Sequence, residues 1–177
     1  MGTHYFTIGH SNRTMAEFLE LLEPSGIEIV VDVRTLPGSR ANPQFNDDAL
    51  AAALARARVR YERVAELGGL RRKSRDVAPE VNGFWENRSF HNYADYALGP
   101  EFAAGLARLR ELGRSSVCAI MCSEAVWWRC HRRIIADYLI ASGEDVLHIL
   151  GATRTEPARL TEGARVHPDG HVTYPAV

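Results

Sequence analysis

Cysteine is scarce in this chain: three occur in 177 residues. An odd count, with two of the three beside Glu, His and Arg, argues against a disulfide framework and for a reducing compartment. Long apolar runs are missing too. None approaches the roughly 18 residues that a membrane helix needs, and Met1 to Thr14 lacks the charged-then-apolar order of a signal peptide. Gly2 is not followed by the Ser or Thr at position 6 that a myristoylation signal carries, because Phe6 stands there. There is no excess of one charge: 21 Lys and Arg face 22 Asp and Glu, for a net charge of −1. The whole-molecule field therefore does not call for nucleic acid or an acidic membrane, and any anion binding must come from local clusters. No internal repeat or low-complexity linker is visible. These absences predict a soluble, cytoplasmic protein with no membrane partner. The ordinary apolar content of 46% and the length suit one domain over residues 1–177 with a full-sized core.

What is present is concentrated in Val117 to Arg133, VCAIMCSEAVWWRCHRR, which holds all three cysteines. It opens on the apolar run Val117 to Met121. It then turns into chemistry at Cys122, Ser123 and Glu124, followed by Trp127, Trp128, Cys130, His131, Arg132 and Arg133. A second apolar run, Ile134 to Ile140, follows at helical spacing. A buried strand that ends in polar residues and leads into a helix is how an α/β domain presents a site, because ligands bind outside the carboxyl ends of its strands.

The rest of the chain alternates strand and helix. Tyr5 to Ile8 reads as a first strand stopped by Gly9, and Thr14 with Glu17 as a capping box opening a helix through Leu22. Ile27 to Val33 is a nearly continuous apolar strand of the kind found inside parallel sheets. A helix over Ala49 to Ala57, capped by Asn46 or Asp47, and a strand over Val59 to Val64 follow. Glu66 to Asn92 has no periodicity. It carries Gly68-Gly69, the basic cluster Arg71, Arg72, Lys73 and Arg75, and the aromatics Phe84, Trp85 and Phe90, and reads as a flap. Tyr93 to Leu112 is one or two helices interrupted near Gly99-Pro100; Asp145 to Leu150 is a fifth strand; Arg165 to Tyr174 turns at Pro-Asp-Gly as a terminal hairpin. The expectation is a three-layer α/β domain with a mostly parallel five-stranded sheet, a long flap after the third strand and a C-terminal hairpin. Right-handed crossovers would bring the strand ends at Gly9, Asp32 and Met121 to one sheet edge.

Several of these residues, in order, resemble the DUF488 family: Thr7-Ile8-Gly9-His10-Ser11, Asp32-Val33-Arg34 with Pro37, Ser39 and Arg40, Leu67-Gly68-Gly69, Tyr93-Ala94, Met121-Cys122-Ser123-Glu124 and Cys130-His131-Arg132. The resemblance implies an α/β domain of bacterial type and a shared site, and no particular reaction. Ser123 stands where the family commonly has Ala, and Trp127-Trp128 replace a less aromatic pair.

The candidate catalytic residues are Cys122, Glu124 and His10. If the strand ends at Met121, the Cys122 thiol meets a helix N-terminus, which favours thiolate; the alternative is a buried packing cysteine. Glu124 is either a general acid or base, or a carboxylate that complements the helix dipole. Cys130 and His131 are expected a turn or more inside that helix. Six residues separate Cys122 from Arg129, a longer loop than tyrosine phosphatases or rhodaneses use. Ser11, Asp32, Arg34, Ser39, Arg40 and Arg132 form the candidate ligand-binding set for a small anion, through bidentate arginines; the alternative is a structural Asp32–Arg34 ion pair. A nucleotide or another nucleic-acid-related anion is the expected ligand class. Two readings of other classes stay open: a nucleic-acid-binding module using the basic, aromatic flap, and a metal site on Cys122, Cys130 and His131, whose spacing matches no familiar zinc motif. Cofactor and oligomeric state are left unassigned.

Overall fold

The computed structural model describes residues 4–176, so Gly2 lies outside the described residues. A six-stranded sheet runs in the order β3-β2-β4-β1-β5-β6. Its strands are β1 (Tyr5–Gly9), β2 (Ile29–Asp32), β3 (Arg60–Arg63), β4 (Cys118–Cys122), β5 (Val146–Gly151) and β6 (Arg154–Pro157). The first five are parallel, and β6 folds back antiparallel on β5. The α/β class, the mostly parallel sheet and the long segment after β3 match the expectation, and the sheet gains one edge strand. β6 is exposed throughout, so it carries no alternating apolar pattern for a reader of sequence to find. A short antiparallel hairpin, β7 (Arg165–Val166) with β8 (Val172–Thr173), forms where the Pro-Asp-Gly turn predicts it.

Helices cover both faces. On one, α1 (Met15–Leu22) and α2 (Asp47–Arg56) bring Phe18, Leu22, Leu50 and Leu54 onto Phe6, Ile8, Val30 and Met121. On the other, α3 (Arg88–Tyr96), α4 (Pro100–Ser115) and α5 (Arg132–Ala141) pack Tyr93, Phe102, Leu109, Ile135 and Leu139 onto Ile29, Val31, Ile120 and Cys122. Successive strand residues point to opposite faces, which is why neighbours such as Met121 and Cys122 enter different cores. The capping box at Thr14 and Glu17 is formed, with bonds of 2.8 and 3.1 Å. Among the described residues no helix is long and apolar enough to cross a membrane.

The topology decides where a ligand can sit. β1 and β2 lead into α1 and α2 on one face, whereas β4, between them in the sheet, leads to α5 on the other. Chains that leave adjacent strand ends in opposite directions open a crevice there. Backbone bonds tie the three ends together: His10 N–H donates to the Cys122 carbonyl at 2.9 Å, Ser11 N–H to Ser123 at 3.0 Å, and Val33 N–H to Met121 at 3.0 Å.

The strand-to-helix junction after β4 differs from the expectation. No helix begins at Cys122. Residues 123–126 form a loop, Trp127–Arg129 make one 3-10 turn, and α5 starts at Arg132 with His131 at its N-cap. Cys130 and His131 therefore stand ahead of the helix, not inside it. The loop is held by tertiary contacts rather than local propensity. The Glu124 carbonyl accepts from Arg132 Nη2 at 2.8 Å and lies so tightly on Gly9 that any Cβ there would collide with it.

Candidate functional site

A cleft of about 400 Å³ opens at the crevice. Arg34, Thr35 and Leu36 beyond β2 line it, with Gly69 and Leu70 of the flap, Phe90 of α3, Cys122 to Glu124, and Arg129 to His131. Its volume falls in the range of small-molecule sites.

Two sulfurs form its floor. Cys122 Sγ and Cys130 Sγ lie 2.6 Å apart, both side chains buried at 3% and 5% exposure. The Arg132 backbone N–H, in the first turn of α5, points to Cys130 Sγ at 3.4 Å, and His131 Nδ1 lies 3.6 Å from it. His131 Nε2 is 2.8 Å from the Val33 carbonyl. A carbonyl only accepts, so Nε2 carries the hydrogen and Nδ1 is the nitrogen turned to the sulfur. Gly69 makes room for this ring: a Cβ there would sit 2.6 Å from Nδ1.

Electrostatics separate the two thiols. Burial opposes the thiolate at Cys130, but the hydrogen bond from Cys122, the neighbouring His131 and Arg132 outweigh it and bring Cys130 well below the ordinary thiol range. At Cys122, burial, the hydrogen bond to Cys130 and the charge on that sulfur push the thiol well above it. These directions make Cys130 the more acidic thiol of the pair and Cys122 the less acidic one. The helix N-terminus, which the sequence places at Cys122, acts on Cys130 instead. Cys118 faces the core, where burial pushes it up to about 12.

Arg132 is 1% exposed and has no carboxylate partner among the described residues. It donates to the Glu124 carbonyl and, at 3.3 Å, to Thr7 Oγ1, while its Nε finds no acceptor. A guanidinium cannot shed its proton, so a buried one needs an anion beside it. Here the groups that can carry that charge are the two sulfurs, Cys122 and Cys130, both of which hold the Arg132 guanidinium charged.

The remaining candidates are placed as follows. Asp32 is fully buried and takes Arg34 in a two-pronged pair, Nε to Oδ1 at 2.9 Å and Nη2 to Oδ2 at 2.7 Å, with the Tyr61 hydroxyl at 2.6 Å. The structural ion pair weighed from sequence is thus formed. Arg34 still lines the cleft, and it has two N–H groups beyond those engaged by Asp32 and His10. His10 lies behind it, stacked on Phe45 at 4.4 Å. It accepts from Arg34 Nη1 at 3.3 Å and donates from Nδ1 to the Ser11 carbonyl at 2.7 Å. Burial lowers its pKa, so it stays neutral and orients the arginine. Ser11, Ser39 and Arg40 do not line the cleft. Ser39 Oγ instead caps its own loop, accepting from Ala41 and Asn42 N–H. Glu124 is exposed on the cleft wall, and it is its carbonyl that meets a sulfur, accepting from Cys122 Sγ at 3.7 Å.

The sequence offers His131, with His10, as an aid to proton transfer around Cys122; the structure sets its Nδ1 beside Cys130 instead, because the Val33 carbonyl, 98 residues away, holds its Nε2. The Cys130-His131 adjacency was the available signal. Among the described residues no group of three or more His, Cys, Asp or Glu is arranged around a metal position. Two sulfurs bound to one tetrahedral zinc at about 2.3 Å would stand about 3.8 Å apart, against 2.6 Å here. The flap aromatics face inward: Trp85 is buried, stacked on Phe90 at 4.8 Å and edge-on to Tyr174 at 5.1 Å.

With this geometry in place, the comparison with protein families becomes informative. A family model described as "Domain of unknown function DUF488" matches residues 14–139. The chain belongs to the DUF488 family. The match spans α1 through most of α5, and with them Asp32, Arg34, Gly69, Cys122, Cys130, His131 and Arg132, while His10 and Ser11 precede it. Comparison with curated proteins and with solved structures finds no match.

Proposed function

We propose that this DUF488 protein is an enzyme that binds a small anionic ligand in the cleft, with the Cys130 thiolate as its nucleophile. The reading is carried by one observation: Cys130 Sγ sits on the cleft floor between the Cys122 thiol and His131 Nδ1. A nucleophile, a base in reach and a third group orienting the base is the general arrangement for covalent catalysis, with the Val33 carbonyl as orienter. The Cys130 proton passes to His131 Nδ1, and Arg132 holds the charge left on sulfur. Arg129 on the exposed wall and the two remaining N–H groups of Arg34 supply anion contacts. Leu36, Leu70 and Phe90 supply an apolar wall. Together with the volume, this fits a ligand of nucleotide size.

The test is the alkylation rate of each cysteine against pH, resolved by mass spectrometry. Cys130 is expected to react fastest, with an apparent pKa below the ordinary value of about 8.5, and a nucleoside monophosphate is expected to protect it. Replacing Arg129 by Ala should weaken that protection without slowing alkylation. A Cys130 that stays inert from acid to mildly alkaline pH removes the nucleophile and with it the proposal.

A further inference from the structure

The second sulfur has no role in a simple nucleophile. A thiolate needs a donor, but the Arg132 backbone N–H at 3.4 Å and His131 Nδ1 at 3.6 Å already flank Cys130. Cys122 Sγ nevertheless lies at 2.6 Å, so a small shift brings the pair to the S–S bond length of about 2.05 Å. The two residues are fixed from different directions, Cys122 by the last β4 pairing to Gly9 and Cys130 by the turn ahead of α5. Their approach is therefore built by the fold and not by local chain geometry.

We infer that Cys122 and Cys130 form a redox couple oxidised by a small hydroperoxide. The inference rests on the thiolate reading of Cys130. The sulfur attacks the terminal oxygen of R–O–O–H. An S–O bond forms, the O–O bond breaks, and the alkoxide leaves as R–OH with the proton held on His131. Cys130 is then a sulfenic acid. Cys122 sulfur attacks it, the S–S bond forms, and the S–O bond breaks. The departing hydroxide takes the Cys122 proton and leaves as water. Two thiols lose two electrons and two protons, and the hydroperoxide is reduced to alcohol and water.

Burial selects the oxidant. With 3% and 5% exposure, the sulfurs are reached only from the cleft side, where a small reagent fits more readily than the three sulfurs in a row of thiol–disulfide exchange. A hydroperoxide has to present one oxygen only. Arg132 makes the couple reversible in direction: oxidation removes the thiolate and leaves a guanidinium of 1% exposure without its anion. The reduced state is favoured by that difference, as in couples whose disulfide is readily reduced.

The experiment is stoichiometric oxidation of the fully reduced chain with hydrogen peroxide, quenched by alkylation at timed points and mapped by peptide mass spectrometry. The expected product is a Cys122–Cys130 cross-link with Cys118 alkylated, formed at least roughly ten-fold faster than any oxidation of the buried Cys118. In the Cys122→Ser variant, oxidation should stop at a Cys130 sulfenic acid that a 1,3-dione traps. A wild-type chain that accumulates sulfinic acid at Cys130 with Cys122 unmodified overturns the couple. So does a cross-link formed by a low-molecular-weight disulfide but not by peroxide, because the oxidant named here is then the wrong one. Fast alkylation of Cys130 without any cross-link refutes the couple and leaves the nucleophile standing, whereas inertness to both reagents removes both.

Discussion

Replacing Cys130 by Ala should destabilise the protein far more than the loss of one sulfur atom warrants. The packing loss is on the order of 1 kcal/mol, the scale of a methyl-sized void. The larger cost falls on Arg132, which is 1% exposed and has no carboxylate partner among the described residues. Removing one partner of a buried pair costs about 3–5 kcal/mol because the other charge is left uncompensated. Arg132→Met is the milder lesion, since Cys130 can take up a proton and a guanidinium cannot give one away. The two changes together should therefore cost less than their sum, with a coupling of about 1–3 kcal/mol in a double-mutant cycle. Urea unfolding at pH 7 measures it. Single-mutant costs that add to within about 0.5 kcal/mol would refute the reasoning, because Arg132 would then be balanced by something other than the sulfur.

The same pair sets a pH signature. Cys130 is depressed in the folded chain, so below about 8.5 the unfolded chain holds the extra proton and stability rises with pH. Cys122 is raised, so above that value the folded chain holds the extra proton and stability falls as pH rises. The stability difference between wild type and Cys130→Ala should grow as pH climbs from the folded Cys130 pKa toward the ordinary thiol value.

Two further perturbations test the frame around the sulfurs. Gly9→Ala drives a Cβ into the Glu124 carbonyl; it should cost at least about 1–3 kcal/mol and slow Cys130 alkylation, and an unchanged melting temperature with unchanged reactivity would show that the loop is not braced there. His148 is buried, bonded through Nδ1 to Thr7 Oγ1 at 2.6 Å and stacked on Trp127 at 4.5 Å, and burial lowers its pKa to about 3. Between the unfolded value of about 6.5 and that figure the unfolded chain binds the extra proton, so stability should fall by up to about 1.4 kcal/mol per pH unit on acidification. His148→Gln should flatten that slope in urea titrations across the range, and an unaltered slope would place the acid sensitivity elsewhere.

Elements that bury a regular face were legible in the sequence, and elements that do not were hidden. Ile29 to Val31 and Val117 to Met121 are apolar because they run through the middle of the sheet, and Thr14 with Glu17 announces a helix start by purely local chemistry. β6 is exposed along its length, so its pairing with β5 leaves no trace in hydrophobic period. The start of α3 at Arg88 was readable in principle: Asn87 caps it, its Oδ1 accepting from Ser89 and Phe90 N–H at 2.9 and 3.2 Å. The aromatic run beside it draws the eye to a flap instead.

The site was legible as a place and illegible as a mechanism, and one junction accounts for the difference. Reading Cys122-Ser123-Glu124 as the first turn of a helix assigns the helix dipole, and so the thiolate, to Cys122. The real first turn comes later because Gly9 lets the Glu124 carbonyl press against β1 and Arg132 reaches back to hold it. Both contacts join segments far apart in the chain, and neither has a local signature. Moving the helix start to Arg132 transfers the N-terminal N–H, His131 and the buried guanidinium to Cys130. Under the couple proposed above, it turns Cys122 from nucleophile into donor and resolving thiol. A difference of nearly three helical turns (at about 3.6 residues per turn) in one boundary thus exchanges the roles proposed for the two cysteines. Boundaries are where local propensity is weakest, so the order in which these two thiols react with one electrophile is the most direct experimental reading of the fold at this point.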